Sequence, residues 1–264
     1  VWLDVLFAYL RLVRAGFERY AAYRAASLAG MFTNTVFGLL RVSVLLAVVR
    51  HGSSVGYDAA STATYVWLGQ GLLAVVALWG DGELSQRVRS GDVAIDLSLP
   101  WNLQLALLAT DLGRAGNAVL IRFVPPVLIG ALLFPFRWPT RPLTWALFAG
   151  SVVLAVVISA QIRFLLDLTS FWLLDSRGVR SLWNSTSIIL CGLVVPLAYF
   201  PNRLHAVLAL TPFPGIIQTP IDVFSERGAS ATALAHQFGW ALLLLTCGRV
   251  ALARATRRLV VQGG

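Results

Sequence analysis

Residues 143–166 read LTWALFAGSVVLAVVISAQIRFLL, an apolar run that meets its first charge at Arg163. A hydrocarbon core of about 30 Å needs about 20 mostly apolar residues per helix, because every backbone polar group must be bonded within the span. This run is long enough and holds no turn signal. Five further stretches share its character: 26–49, 62–80, 115–136, 182–200 and 232–253. Little polar chain remains between them. Hydrophobic residues make up 58% of the chain and charged ones 12%, against about 25% charged in soluble domains. Mean hydropathy is +0.75. The sequence therefore predicts an all-α polytopic membrane protein with six transmembrane helices.

Details within the spans differ. Pro125 and Pro126 remove backbone donors from the third and predict a kink there. The fifth, LWNSTSIILCGLVVPLAYF, is polar in its first half. Arginine placement orients the set. Arg11, Arg14, Arg19 and Arg24 precede the first span, Arg87 and Arg89 follow the second, Arg177 and Arg180 the fourth, and Arg254, Arg257 and Arg258 the sixth. Arg50, Arg137, Arg141, Arg203 and Arg227 fall on the other side, fewer and more scattered. The positive-inside rule then puts both termini in the cytoplasm. Ahead of the first span, Leu6, Leu10, Val13, Phe17 and Tyr20 recur at helical steps, with Arg11, Arg14 and Glu18 on another stripe. Residues 1–24 read as an amphipathic helix lying on the cytoplasmic membrane surface; the plainer alternative extends the first span into the cytoplasm. No cleavable signal pattern is evident.

Several functions are excluded or disfavoured. All 21 residues counted as Lys+Arg are arginines, so the lysine of a Walker A loop is missing and this chain cannot form one. The formal charge of +9 belongs to residues that flank spans, not to the aromatic-laced basic surface that nucleic-acid binding requires. Cys191 and Cys247 stand alone in apolar spans, and His51, His205 and His236 lie far apart with no metal-ligand spacing. No catalytic or metal-binding set emerges.

Charges inside spans carry more information, since each must be paired, snorkelled or met by water. Arg163 sits four residues before Asp167, which predicts a structural pair on one helix face. Arg122 either snorkels past Asn117 and Arg114 as an anchor or lines an internal path. Arg41 has no partner on its own helix and faces either a path or the outer interface.

Two connections stand out. Residues 81–114 form a long cytoplasmic stretch in which Arg87, Arg89, Asp92 and Asp96 lead to Pro100, followed by an apolar-rich helix near 102–112. It is long for a bundle loop, with apolar surface to dock on spans and charges for a soluble partner. Residues 201–230 lie outside. There NRLHAVLALTPF predicts one short helix and GIIQTPIDVF a second, broken by Pro201, Pro212 and Pro220 beside Phe213. Neither can span. A pair of helices dipping into the outer leaflet fits, provided protein satisfies their broken backbone, and it would form an external gate or cap.

At VPLAYFPNRLHAVLALTPFPGIIQTPIDVF, residues 195–224, and at RSGDVAIDLSLPWNLQ, residues 89–104, the chain resembles permease subunits of the type-2 ABC exporter superfamily, in the bacterial six-span branch. The first motif matches the family's aromatic-proline pair, leucine-rich helix and Pro-Phe step; the second matches its glycine-acid step before a proline. Ser98 departs from the basic residue that many relatives carry. The resemblance implies two paired permease subunits, identical or related, in the bacterial inner membrane. A separate ATP-binding subunit, in two copies, would hold ATP and Mg²⁺, so this chain would have no cofactor and no catalytic residue of its own. It implies coupling through the surface helix and the 81–100 loop. It also implies a path at the permease–permease interface, nominating Asn34, Arg41, Thr64, Gln70, Asn184, Ser185 and Ser187. Export as the direction comes from the resemblance alone. The competing readings are an ATP-independent carrier or channel and a non-transporting assembly or sensory subunit.

Overall fold

The computed structural model describes residues 2–51, 56–80, 82–173, 176–228 and 230–258. Val1, Asp81 and Ala229, which fall in the expected surface helix, cytoplasmic connection and external segment, lie outside these. Among the described residues every regular element is a helix, with no strand. In order the helices are α1 (Trp2–Ala21), α2 (Arg24–Arg50), α3 (Ala59–Val76), α4 (Glu83–Ser90), α5 (Val93–Ser98) and α6 (Leu103–Ala118). They continue with α7 (Val124–Leu133), α8 (Pro142–Leu168), α9 (Arg177–Leu190), α10 (Asn202–Ala209), α11 (Gln218–Phe224) and α12 (Ser230–Ala255). Among the described residues, five helical stretches are long and apolar enough to cross a membrane: Arg24–Arg50, Ala59–Val76, Leu103–Leu133, Pro142–Phe171 and Ser230–Ala255.

α3 is the hub. Most of its side chains are buried, whereas few of those on α2 and α12 are. Asp58 caps its start by accepting from the Ser61 amide at 2.8 Å, one of the donors a helix N-terminus leaves free. Trp67, fully buried, lies midway along it. Its ring presses on Gly38 of α2 and Gly130 of α7, where no Cβ has room. These contacts allow α2 and α7 to close on α3 from two sides.

The third crossing departs from expectation. The separate helix expected near 102–112 runs on unbroken into the span, giving one helical stretch from Leu103 to Leu133. In its middle, Val119–Phe123 adopts π register. Pro125 and Pro126 follow directly, and the missing donors are the physical cause: register shifts where the i→i−4 ladder loses two bonds. The expected distortion is thus a π segment.

α1 lies along α6. Gly16 meets the carbonyl of Thr110 and Gly113 meets that of Val13, so closely that a methyl group fits at neither. Tyr9 Oη accepts from the Asn102 amide at 3.2 Å. Of the expected apolar stripe, Val13 and Phe17 pack inward, while Leu6, Leu10 and Tyr20 stay exposed.

The expected fifth span, 182–200, is not one helix. α9 is 14 residues long, about 21 Å at 1.5 Å per residue, short of the hydrocarbon thickness. It stops at Leu190, and the chain turns through Gly192 at φ +72° before Pro196 and a 3₁₀ turn at Leu197–Tyr199. A positive φ suits glycine and ends helices; the proline prevents resumption. Beyond it, α10 and α11 occupy the two stretches expected to be short helices. α10 is largely exposed, and α11 is buried against α8.

Candidate functional site

Buried polarity collects at the two ends of α3. At the end on the α1 side, α3 stops at Ala77, which takes φ 45°, leaving carbonyls without helical donors. Arg114 of α6 supplies them, Nη1 to Ala74 O at 2.9 Å and Nη2 to Val75 O at 2.7 Å. Trp183 of α9 donates to Leu78 O at 2.9 Å. Asp111 balances the charge, accepting from Arg114 Nε at 2.6 Å and from Arg163 Nη2 of α8 at 2.7 Å.

This corrects the expected Arg163–Asp167 pair. Arg163 reaches across to α6, and Asp167 faces Arg180 of α9 at 3.7 Å. A carboxylate held between two arginines on different helices is better satisfied than one bound along a single helix face. Beside the network lies a cavity of about 180 Å³, lined among others by Tyr20, Gln104, Asp111, Arg163, Asp167 and Arg180. Gln104 is 1% exposed; it donates to Gln161 Oε1 at 2.6 Å and Leu245 O at 3.0 Å, joining α6, α8 and α12.

The expected coupling residues sit against this end. Arg87 and Asp96 pair at 2.6 Å and tie α4 to α5. Asp96 is largely buried, and burial raises its carboxyl pKa although Arg87 opposes the shift. Arg89 donates to Ser176 Oγ at 3.2 Å, and Ser85 shares that hydroxyl at 2.8 Å. Asp92 accepts from Ser90 at 2.6 Å, and Pro100 is exposed just after α5. Leu84 and Val93 seat these short helices in a small core with Leu103, Phe164, Leu168 and Leu252. Glu83 meets Arg19 of α1 at 3.4 Å.

The expected path residues divide. Asn34, Thr64, Gln70 and Ser187 are buried. Asn34 Nδ2 donates to Gln70 O at 3.3 Å, linking α2 to α3. Thr64 donates to Ala60 O and accepts from the Arg137 amide, both at 2.8 Å. Arg41, half-buried, donates to the Leu193 carbonyl and to Val194 O at 3.3 Å, filling the turn after α9. Asn184 and Ser185 are exposed on α9; the Asn184 carbonyl accepts from Trp79 Nε1 at 3.2 Å, and Ser185 bonds back to Ser181 O at 2.9 Å. The set therefore forms no single lining within one chain. The hydroxyls of Thr62, Tyr65 and Ser187 and the indole N–H of Trp67 are buried without partners among the described residues. Tyr65 and Trp67 carry no such signal in the sequence, because an aromatic in an apolar run reads as core.

At the far end, the segment that holds α10 and α11 is anchored by two glutamines. Gln237 of α12 is fully buried; it donates to Gly215 O at 2.7 Å and Ser151 O at 3.2 Å, and accepts from Ser151 Oγ at 2.8 Å. Gln218 donates to Asp222 at 2.9 Å and to Tyr57 Oη at 3.3 Å. Burial beside Asp222 pushes the Tyr57 phenol up to about 12, and Arg227 stacks on that ring at 3.7 Å. Of the expected gate, Pro220 is buried, Phe213 packs on Trp183 with ring centroids 5.7 Å apart, Pro212 is half-buried and Pro201 is exposed at the start of α10. Phe136, Trp138 and Trp145 cluster with Phe224 on the same side, the kind of aromatic grouping found at a membrane–water boundary.

Such a chain is a multi-pass membrane protein whose polarity is organised around one central helix. The family model described as ABC-2 family transporter protein matches residues 32–263. The match takes in most of the first long apolar helix and nearly everything after it, so the chain belongs to the ABC-2 transporter family. Membership supports a permease subunit of an ABC transporter and implies association with an ATP-binding subunit. No curated protein matches the chain.

Proposed function

We propose that the chain is the membrane-spanning permease subunit of an ATP-driven exporter. The family match over residues 32–263 carries this reading. Two permease subunits, identical or related, pair in the bacterial inner membrane with both termini in the cytoplasm, an orientation that rests on the arginine distribution. α9 then provides the fifth of six crossings as a short helix, completed by the turn at Gly192 and the α10–α11 segment, which re-enters from outside. α1 lies at the cytoplasmic membrane surface. ATP and Mg²⁺ belong to a separate ATP-binding subunit, present in two copies.

The ion pairs of α4 and α5 support coupling at Arg87, Arg89, Asp92, Asp96 and Pro100. These short helices sit on the same core as the ends of α8 and α12, so a push on them reaches two spanning helices. Path residues Asn34, Arg41, Thr64, Gln70, Ser185 and Ser187, with Asn184, lie on α2, α3 and α9, the elements expected at the subunit pair. Pro201, Pro212, Phe213 and Pro220 form the external gate.

The test is coexpression of the chain with its neighbouring genes, purification in nanodiscs, and ATPase assay. An ATP-binding subunit should copurify, and an Arg87→Gln/Asp96→Asn variant should keep the complex but lose most transport-linked ATPase. Solute movement by the chain alone in proteoliposomes, without ATP, would make it a carrier or channel instead.

A further inference from the structure

The π segment Val119–Phe123 contains Arg122, which differs from the arginines of the network near it. Arg114 is engaged by two carbonyls and Asp111. Arg122 has no hydrogen-bond or ion-pair partner among the described residues. Its Nε is buried without an acceptor, and the charge acting on it is the like charge of Arg114. The guanidinium lies across Gly30 of α2, where a Cβ would fall 2.6 Å from Nη2. Glycine at 30 leaves the space that the guanidinium fills.

Depth and surroundings sharpen the chemistry. Gly30 lies about 9 Å along α2 from Arg24, at 1.5 Å per residue. The walls are apolar and open: Leu28 is 56% and Phe32 70% exposed on α2, Leu120 is 59% and Val124 39% exposed on the facing helix. A cation at such depth needs a counter-charge, a route to the interface or water. π segments within long helices recur at functional sites, and here the altered register sets an arginine between apolar walls. A guanidinium fork fits a phosphate with two parallel bonds. The exposed side chains suit acyl chains.

We infer that the cleft between α2 and the π segment binds an anionic phospholipid of the leaflet on the α1 side, with Arg122 holding its phosphate and Leu28, Phe32, Leu120 and Val124 contacting its chains. The inference rests on the chain being embedded in a membrane and not on ATP coupling or export. The headgroup phosphate is the counter-ion that the protein itself does not supply. Local thinning of the leaflet and extension of the arginine bring the two together.

The test uses spin-labelled phosphatidylglycerol and phosphatidylcholine with the full chain reconstituted in phosphatidylcholine, reading the immobilised fraction by electron paramagnetic resonance. Wild type should prefer the anionic lipid, and Arg122→Gln should lower that preference about fivefold, the effect of one basic residue near a lipid surface. Arg122→Lys should fall between. Gly30→Ala keeps the charge but crowds the guanidinium, and should also weaken the preference; it decides the matter should Arg122→Gln fail to fold. Arg41→Gln should leave it unchanged. Equal immobilisation of the two lipids by wild type would overturn the inference, as would an unchanged preference in folded Arg122→Gln. Loss of the preference on adding inorganic phosphate at constant ionic strength would mean a site for a free anion, and would overturn it too.

Discussion

Glu226 holds the α10–α11 segment to the start of α8 with a single carboxylate. It adopts φ 53°, a conformation that costs a non-glycine residue about 1–2 kcal/mol. Four donors surround it: the Thr140 amide at 3.1 Å, the Thr140 hydroxyl at 2.6 Å, the Arg141 amide at 3.0 Å and the Thr144 hydroxyl at 2.8 Å. These bonds, led by the two threonine hydroxyls, draw its pKa from 4.5 down to about 2. A depressed carboxylate stabilises the fold above its ordinary pKa and loses that contribution as pH falls toward the folded value. The native chain should therefore lose thermal stability between about pH 4.5 and pH 2, and Glu226→Gln should flatten that part of the profile. Melting curves in detergent across this range provide the check; an unchanged slope would remove the carboxylate from the account. Nothing in the local sequence SERG marks Glu226 as a cap, because its partners lie about eighty residues earlier.

Helices show where sequence reading succeeds and where it stops. α2, α8 and α12 are legible because lipid exposure forces unbroken apolarity. The third crossing starts earlier than the expected 115–136, because the helix expected near 102–112 continues into it, with Gly113 inside that helix meeting α1 at close approach. The expected fifth span, 182–200, gives way to a short α9, because Gly192 turns the chain after Leu190 and Pro196 keeps the helix from resuming. α10 and α11 were legible from their prolines, but their attachment was not, since Gln237 and Gln218 sit alone in apolar surroundings. Replacing Gln237 by leucine strands Gly215 O and the Ser151 hydroxyl, which costs about 1–3 kcal/mol per buried unsatisfied group. The variant should release the α10–α11 segment to protease added on its side of the membrane while the spanning helices stay protected. Protection equal to wild type would show that α11 packing alone suffices.

At the scale of the whole molecule, one carboxylate joins three crossings. Asp111 bonds Arg114, which ends α3, and Arg163 on α8, with its side chain only 12% exposed. Asp111→Asn removes the counter-charge that Arg114 and Arg163 share in a low-dielectric setting. Breaking a buried pair in this way costs about 3–5 kcal/mol, so the detergent-solubilised variant should melt far below wild type. Asp92→Asn, on an exposed turn, should change the midpoint little. Equal midpoints for the two would show that water in the adjoining cavity carries the arginine charge. This network joins residues far apart in sequence, and of its members only Arg163 is marked by the sequence as a charge inside a span.

The seclusion of α3 bears on how the chain is made. Of the five crossing helices it is the least apolar and the most enclosed by its own chain. Lipid alone therefore retains it weakly, for insertion depends on the summed side-chain transfer energies of each emerging segment. α2 leaves the ribosome first and offers only one wall; the second, at Gly130, comes some fifty residues after α3. Between those two moments α3 is a poorly anchored segment, and its fixation in the bilayer is an act of assembly rather than of partitioning.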